Sequence, residues 1–212
     1  MMHYPTVKQR THDDCGAACV SSILRYHNRR HQYVRLCREL KLSKIGVDES
    51  EMVRFLQAEG FKAELLIDLT SEGLIECLKA ERPVILIIQA WSRRKAETYS
   101  CTDYGHYVMA IGYNDDKIYF MDPALRFGTY GFMTKEELEK RWYLVGEGGN
   151  RKRVGIVVEP VADERRMVHI DWRPCRFRSR TRRFQSGFFV GHDPWISRQP
   201  GNNPIKNRNH LE

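Results

Sequence analysis

The sequence predicts an α+β protein, with an N-terminal helical half packed on a C-terminal antiparallel β-sheet. Three observations carry that expectation. Helical periodicity dominates the early segments, "CGAACVSSILRY" and "DESEMVRFLQAEG" above all. An apolar run, "RPVILIIQAW", then marks a change of character. Two β-rich segments follow, "GHYVMAIGY" and "KIYFMD", separated by the polar triplet "NDD", a hairpin signal.

Each element has a local cause. Residues 14–27 form the first expected helix, with Asp13 or Asp14 as N-cap. Ala17, Val20 and Leu24 recur there at helical spacing, as do Cys19, Ile23 and Tyr26. In the second helix Asp48 and Glu51 form a capping box, Met52, Val53, Phe55 and Leu56 the apolar face, and Gly60 the stop. "FKAELLID" alternates like a strand, and "TSEGLIECLKAE" is a shorter helix weakened by Gly73. "RPVILIIQAW" is a continuous apolar run opened by a proline, which suits a buried strand. "TKEELEKRW" is a brief helix capped by Thr134 and Glu137, and "VGIVVE" is the last strand.

Beyond Pro160 the pattern dissolves into "RPCRFRSRTRRF" and "SRQPGNNPIKNRN", mixtures of Arg, Pro, Gly and Asn without a period. The expected organisation is therefore a domain over 1–160 and a basic, disordered tail over 161–212. The net charge of +8 follows the same division: residues 171–212 hold nine Lys+Arg against three Asp+Glu, so +6 lies in the tail. Nucleic acid is not an expected partner, although that tail is the feature that would bind it.

At 42% hydrophobic and 29% charged residues the composition is that of a globular protein. The longest apolar run, "VILII", falls far short of the roughly 18 residues of a membrane span, and "MMHYPTVKQR" lacks the apolar core of a secretory signal. A cytoplasmic location is the expectation. The six cysteines, Cys15, Cys19, Cys37, Cys77, Cys101 and Cys175, are scattered without disulfide density or metal-ligand spacing. Free thiols are expected, with no metal and no cofactor.

One cysteine stands apart. In "VKQRTHDDCGAACVSSILRYH", Cys15 opens a helix, where unpaired backbone N–H groups favour a thiolate. Asp13 and Asp14 oppose that charge, so a nucleophilic Cys15 needs an imidazolium partner. Of the eight histidines, His3, His27, His31, His169, His192 and His210 lie in polar, unpatterned or terminal surroundings, and His12 lies on the loop side of Cys15. His106 follows Gly105 at the start of an apolar strand, where a side chain is held rigidly.

The next strand ends at Asp122. If the hairpin loop is Asn114–Asp116, Tyr113 pairs with Lys117, Ile118 with Gly112, Phe120 with Ala110 and Asp122 with Val108. Asp122 then shares a face with His106 as its diagonal neighbour and can orient the imidazole. A loop one residue shorter would separate the two side chains. An oxyanion hole could draw on the Cys15 N–H and on Gln9, six residues upstream. Gly16 leaves room beside the nucleophile for a substrate backbone.

"KQRTHDDCGAACVSSILRYH", "GHYVMAIGY" and "IYFMDP" closely resemble the papain-like bacteriocin-processing cysteine peptidases, which cleave leader peptides after a double glycine. The similarity runs from about Tyr4 to Val158 and takes in "FLQAEGF", "RPVILIIQAW" and "EELEKRW". It implies a papain-like fold, with Cys15 as nucleophile, His106 as general base and acid, Asp122 as its orienter and Gln9 as oxyanion donor. Asp14, Gly16, Tyr104 and Gly105 are the expected substrate-binding residues. The expected partner is a peptide or protein substrate, cleaved through a thioester intermediate.

Familiar members of that family are domains of ABC exporters. This chain shows neither spans nor a phosphate loop, "GEGGNRKR" lacking the necessary spacing, so a stand-alone relative is expected. Arg93, Arg94 and Lys95, just before His106, read as an exposed basic loop that could favour acidic substrates. Two alternatives use the same residues: a papain-like module that binds peptide without cutting it, and an acyl or peptidyl transferase.

Overall fold

The computed structural model describes residues 1–90, 105–145, 149 and 151–160. The chain divides into two units, Met1–Glu164 and Arg165–Glu212. The expected tail over 161–212 lies outside the described residues, as do Tyr104 and the basic segment with Arg93, Arg94 and Lys95.

Three helices lead: α1 (Cys15–Tyr26), α2 (Tyr33–Glu39) and α3 (Glu49–Ala58). Then come β1 (Phe61–Leu66), α4 (Ser71–Lys79), β2 (Val84–Gln89), β3 (Gly105–Tyr113), β4 (Lys117–Met121) and β5 (Gly131–Thr134). The rest is α5 (Lys135–Arg141), β6 (Leu144–Val145), β7 (Arg151–Lys152) and β8 (Gly155–Pro160). The α+β class holds. Among the described residues no helix is long and apolar enough to cross a membrane.

The caps explain where helices begin. Asp48 accepts from the Ser50 N–H, Thr70 from Gly73 and Thr134 from Glu137. Glu51 does not complete the box expected with Asp48; it pairs instead with Lys41 and Arg54. Helix α1 is buried on all sides from Cys15 to Leu24. Its buried hydroxyls are satisfied internally, Ser22 Oγ donating to Pro5 O at 2.6 Å and Ser21 Oγ bonded to His31 Nε2 at 2.9 Å.

Six antiparallel strands form one sheet in the order β1-β8-β2-β3-β4-β5, so the last strand inserts between the first two. Helices cover both faces, a point the sequence left open. Ile85, Met109, Ile111, Met121 and Ile156 pack with α1 and α3 on one side. Val84, Leu86, Ile88, Val108, Ala110 and Phe120 pack with α4 and α5 on the other, around Leu74, Leu138 and Trp142. Burial on both faces is why all six residues of β2 are apolar or internally bonded. At about 1.5–3 kcal/mol per buried aliphatic side chain, this sheet anchors the domain.

The β3–β4 hairpin corrects the expected register and explains how the pairing of His106 with Asp122 survives. The Asn114 N–H donates to Lys117 O at 2.9 Å, while Asn114 Oδ1 accepts from the Asp116 and Lys117 N–H groups. Tyr113 therefore pairs with Ile118 rather than Lys117, and Gly112 with Tyr119 rather than Ile118. A bulge at Ile111 absorbs the offset, so Ala110 pairs with Phe120 and Met109 with Met121. Continued one step, that register sets Asp122 opposite Val108. The N-terminus holds the bulge: the Met2 N–H donates to Ile111 O at 2.8 Å, and Met1 lies where a Cβ on Gly112 would be.

Candidate active site

Cys15 is the first residue of α1 and is 6% exposed. Asp14 occupies the N-cap position, yet among the described residues no side chain caps the helix. The Asp14 carboxylate turns back onto the preceding loop. Its Oδ1 accepts from the Arg10 and Thr11 N–H groups, each at 3.0 Å, and its Oδ2 from Arg10 N at 3.1 Å and the Tyr33 hydroxyl at 3.0 Å. The first-turn N–H groups of α1, Cys15's among them, thereby receive no cap from the Asp14 side chain.

The packing around two expected substrate contacts, Asp14 and Gly16, is close. Asp14 is 2% exposed with both oxygens engaged internally. The space left by the missing side chain of Gly16 is taken by Met52 and Tyr107, each with an atom 3.2 Å from where a Cβ would stand. Glycine there lets α1 approach β3 and α3. Gly105 is exposed at the start of β3, opposite Gln89, and Tyr104 lies outside the described residues.

His106 is buried at 5% exposure, and its Nε2 bonds Asp122 Oδ1 at 2.8 Å. Cys15 lies close enough to the imidazole to act on its titration. Burial alone would depress the imidazole pKa. The hydrogen bonds and negative charges of Asp122 and Cys15 outweigh it and raise the value to about 9. An imidazolium beside the sulfur is the favoured state. Asp122 Oδ1 also accepts from the Ala124 N–H at 2.8 Å, while its buried Oδ2 has no hydrogen-bond partner among the described residues. A buried carboxylate oxygen without a donor is costly, and such groups concentrate at functional sites.

Cys19, one turn along α1, differs sharply. It is fully buried, its Sγ donates to Tyr107 O at 3.7 Å, and burial, then the charges of Cys15 and Asp122, push its thiol pKa well up.

Gln9 is tied to the same framework. Its N–H donates to Pro123 O at 3.0 Å, next to Asp122, and its Nε2 donates to Thr11 O at 2.8 Å. The same nitrogen lies 3.5 Å from His12 O, and Gln9 Oε1 is buried without a partner among the described residues. Tyr33, Pro123 and Tyr107 support the site and escaped the sequence reading, since α2 is short and nothing in its spacing ties Tyr33 to Asp14. A cavity of about 370 Å³ lined by Asp68, Glu139, Trp142, Tyr143 and Arg153 includes none of the site residues.

The profile of the Peptidase C39 family matches residues 3–146, a span that includes Gln9, Cys15, His106 and Asp122. The chain belongs to the Peptidase C39 family. This is a cysteine peptidase family, so the nucleophile expected from the sequence is of the family's type. No curated protein matches the sequence. Among solved structures, the peptidase domain of Streptococcus ComA, a bi-functional ABC transporter involved in quorum sensing, is 18% identical with a TM-score of 0.56, covering 75% of this chain and 100% of that one. A C39-like peptidase from Bacillus anthracis is 18% identical with a TM-score of 0.58, covering 75% and 96%. A double-glycine-motif protease from an AMS/PCAT transporter, solved with the leader peptide, is 17% identical with a TM-score of 0.55, covering 75% and 93%. At these identities the likeness is one of fold: this C39 chain has the papain-like architecture.

Proposed function

We propose that the chain is an active C39 cysteine peptidase that hydrolyses a peptide bond after a double glycine in a leader peptide. The observation that carries the reading is His106, buried, bonded to the Asp122 carboxylate and under the electrostatic influence of Cys15. The substrate class is taken from the neighbour solved with its leader peptide.

The Cys15 thiolate attacks the scissile carbonyl carbon, and the C=O electron pair moves onto oxygen. The Cys15 N–H and the Gln9 amide receive that oxyanion. Collapse expels the amine, which takes a proton from His106, and leaves a thioester on Cys15. His106, now neutral, removes a proton from water as the water attacks the thioester. The second oxyanion collapses, the acid product leaves, and the Cys15–His106 ion pair is restored. Asp122, bonded to Nε2, keeps the imidazole oriented throughout.

The test is incubation with a synthetic double-glycine leader peptide, with product termini read by mass spectrometry. Cleavage after Gly-Gly, abolished in Cys15→Ala and in His106→Ala, is the expected result. Binding without cleavage by the wild type would make the chain a peptide-binding module. Capture of an added amine in place of water would make it a transferase.

A further inference from the structure

Asp14 poses a question that the proposed chemistry does not answer. A carboxylate beside a nucleophilic cysteine opposes its thiolate, and this one is buried and does not cap α1. What it does is close a turn. Its two oxygens gather the N–H groups of Arg10 and Thr11 and the hydroxyl of Tyr33, and the Arg10 guanidinium lies over the Tyr33 ring, 4.4 Å from its centroid. The Tyr33 hydroxyl also lies 3.3 Å from Asp14 O. The turn so closed begins at Gln9, whose own N–H is held by Pro123 O. Within it, Thr11 O holds the Gln9 amide nitrogen at 2.8 Å.

We propose that Asp14 is a positioning residue whose buried carboxylate clamps the Gln9–Asp13 turn and thereby holds the Gln9 amide where the oxyanion forms. The inference rests on the peptidase reading and deepens it. Its logic is one of anchoring. One end of the turn is fixed by the residue following Asp122, the other by the residue preceding Cys15. The donor is thus registered to the backbone that carries both reacting partners, as a preorganised oxyanion hole requires. A carboxylate suits the task because it is acceptor-only and can take several donors at once. With Asp14 turned away from α1, the Cys15 N–H stays open to the same oxyanion.

The experiment is a double-mutant cycle in the full chain, using as probe an acetylated peptide aminomethylcoumarylamide ending in Gly-Gly. Gln9→Ala sets the scale, since losing one oxyanion donor lowers kcat by about 10²–10³-fold. Asp14→Ala is expected to lower kcat toward that level with KM little changed, and to add little in the Gln9→Ala background. Asp14→Asn should recover most of the loss, because its one oxygen can still accept from Arg10 and Thr11 while its NH2 donates to the Tyr33 oxygen. Alkylation of Cys15 by iodoacetamide, a displacement that builds no oxyanion, should not slow in any of these variants. Additive losses, no recovery in Asp14→Asn, or slowed alkylation would each overturn the proposal.

If Asp14→Ala does not fold, Tyr33→Phe decides by the same cycle, with a smaller loss of kcat that must vanish on the Gln9→Ala background. Amide hydrogen exchange separates failure of the clamp from failure of the peptidase reading. A wild type that cleaves no probe ends the peptidase reading. Arg10 and Thr11 amides unprotected in that same protein, or equally protected in Asp14→Ala, would end the clamp.

Discussion

His106 is subject to opposing influences, and its titration is where the site can be tested at the level of one residue. Burial disfavours the imidazolium, while Asp122 and Cys15 favour it strongly enough to bring the pKa to about 9. Because the value is raised, the imidazolium persists up to that pH and is lost above it. The alkaline limb of kcat/KM is therefore expected near pH 9. In Asp122→Asn the main stabilising partner loses its charge while burial remains, so the limb should move toward neutral pH; a limb that stays in place would contradict the assignment. The linked contribution to fold stability is fully present below the unfolded value near 6.5 and fades as pH rises through about 9. The two cysteines of α1 provide a second test. Limiting iodoacetamide followed by mass spectrometry should modify Cys15 and spare Cys19, whose thiol is buried and held protonated. Loss of that selectivity in His106→Ala would tie it to the imidazole. The placement of Cys15 at the start of α1 and the facing of His106 and Asp122 were legible in the sequence, because a cysteine at a helix mouth and a histidine at a strand start are sparse signals. The Asp14 clamp was not, because a side chain that bends back onto its own loop leaves no mark in spacing.

Between elements, the alignment of His106 with Asp122 depends on a compensation. The hairpin turn slips the register by one residue and the bulge at Ile111 restores it. The sequence suggested the right facing of the two side chains through a turn that is not the one formed. It could not show the bulge, because the bulge is held by Met1 and Met2, over a hundred residues away in the chain. Gly112→Val places side-chain atoms where Met1 sits, with Met1 Cα 2.9 Å from the new Cβ. We expect a loss of about 1–3 kcal/mol in urea unfolding, the usual cost of overpacking. The fall in kcat should exceed what the lost folded fraction explains, since relaxing the bulge frees β4 to slip and carries Asp122 to the opposite face. A control comes from the cap of α5. Thr134→Ala should lose about 1 kcal/mol and leave kcat unchanged. Short caps of this kind are local, which is why Thr134 could be read directly, whereas α2 and β5 are too short to impose a period.

At the scale of the whole chain, charge and chemistry separate. Gln9, Cys15, His106 and Asp122 all lie within the compact unit Met1–Glu164, on α1, β3, the turn after β4 and the N-terminal segment. Of the net charge of +8, +6 lies in residues 171–212. The insertion of β8 between β1 and β2 carries the first unit's sheet to residue 160, so the chain must extend that far before the core closes. That long-range pairing is absent from any local pattern, and the sequence offered "VGIVVE" as a strand without a neighbour. Deletion of 171–212 leaves β8 and every proposed catalytic group in place. It should therefore leave kcat/KM on a double-glycine peptide unchanged while removing most of the positive charge. If the full chain also binds polyanions, that binding should weaken steeply with salt and vanish in the truncated form, because phosphate contacts act through counterion release. Hydrolysis lost together with the tail, in a protein that still unfolds cooperatively, would mean that a residue beyond 170 completes the site.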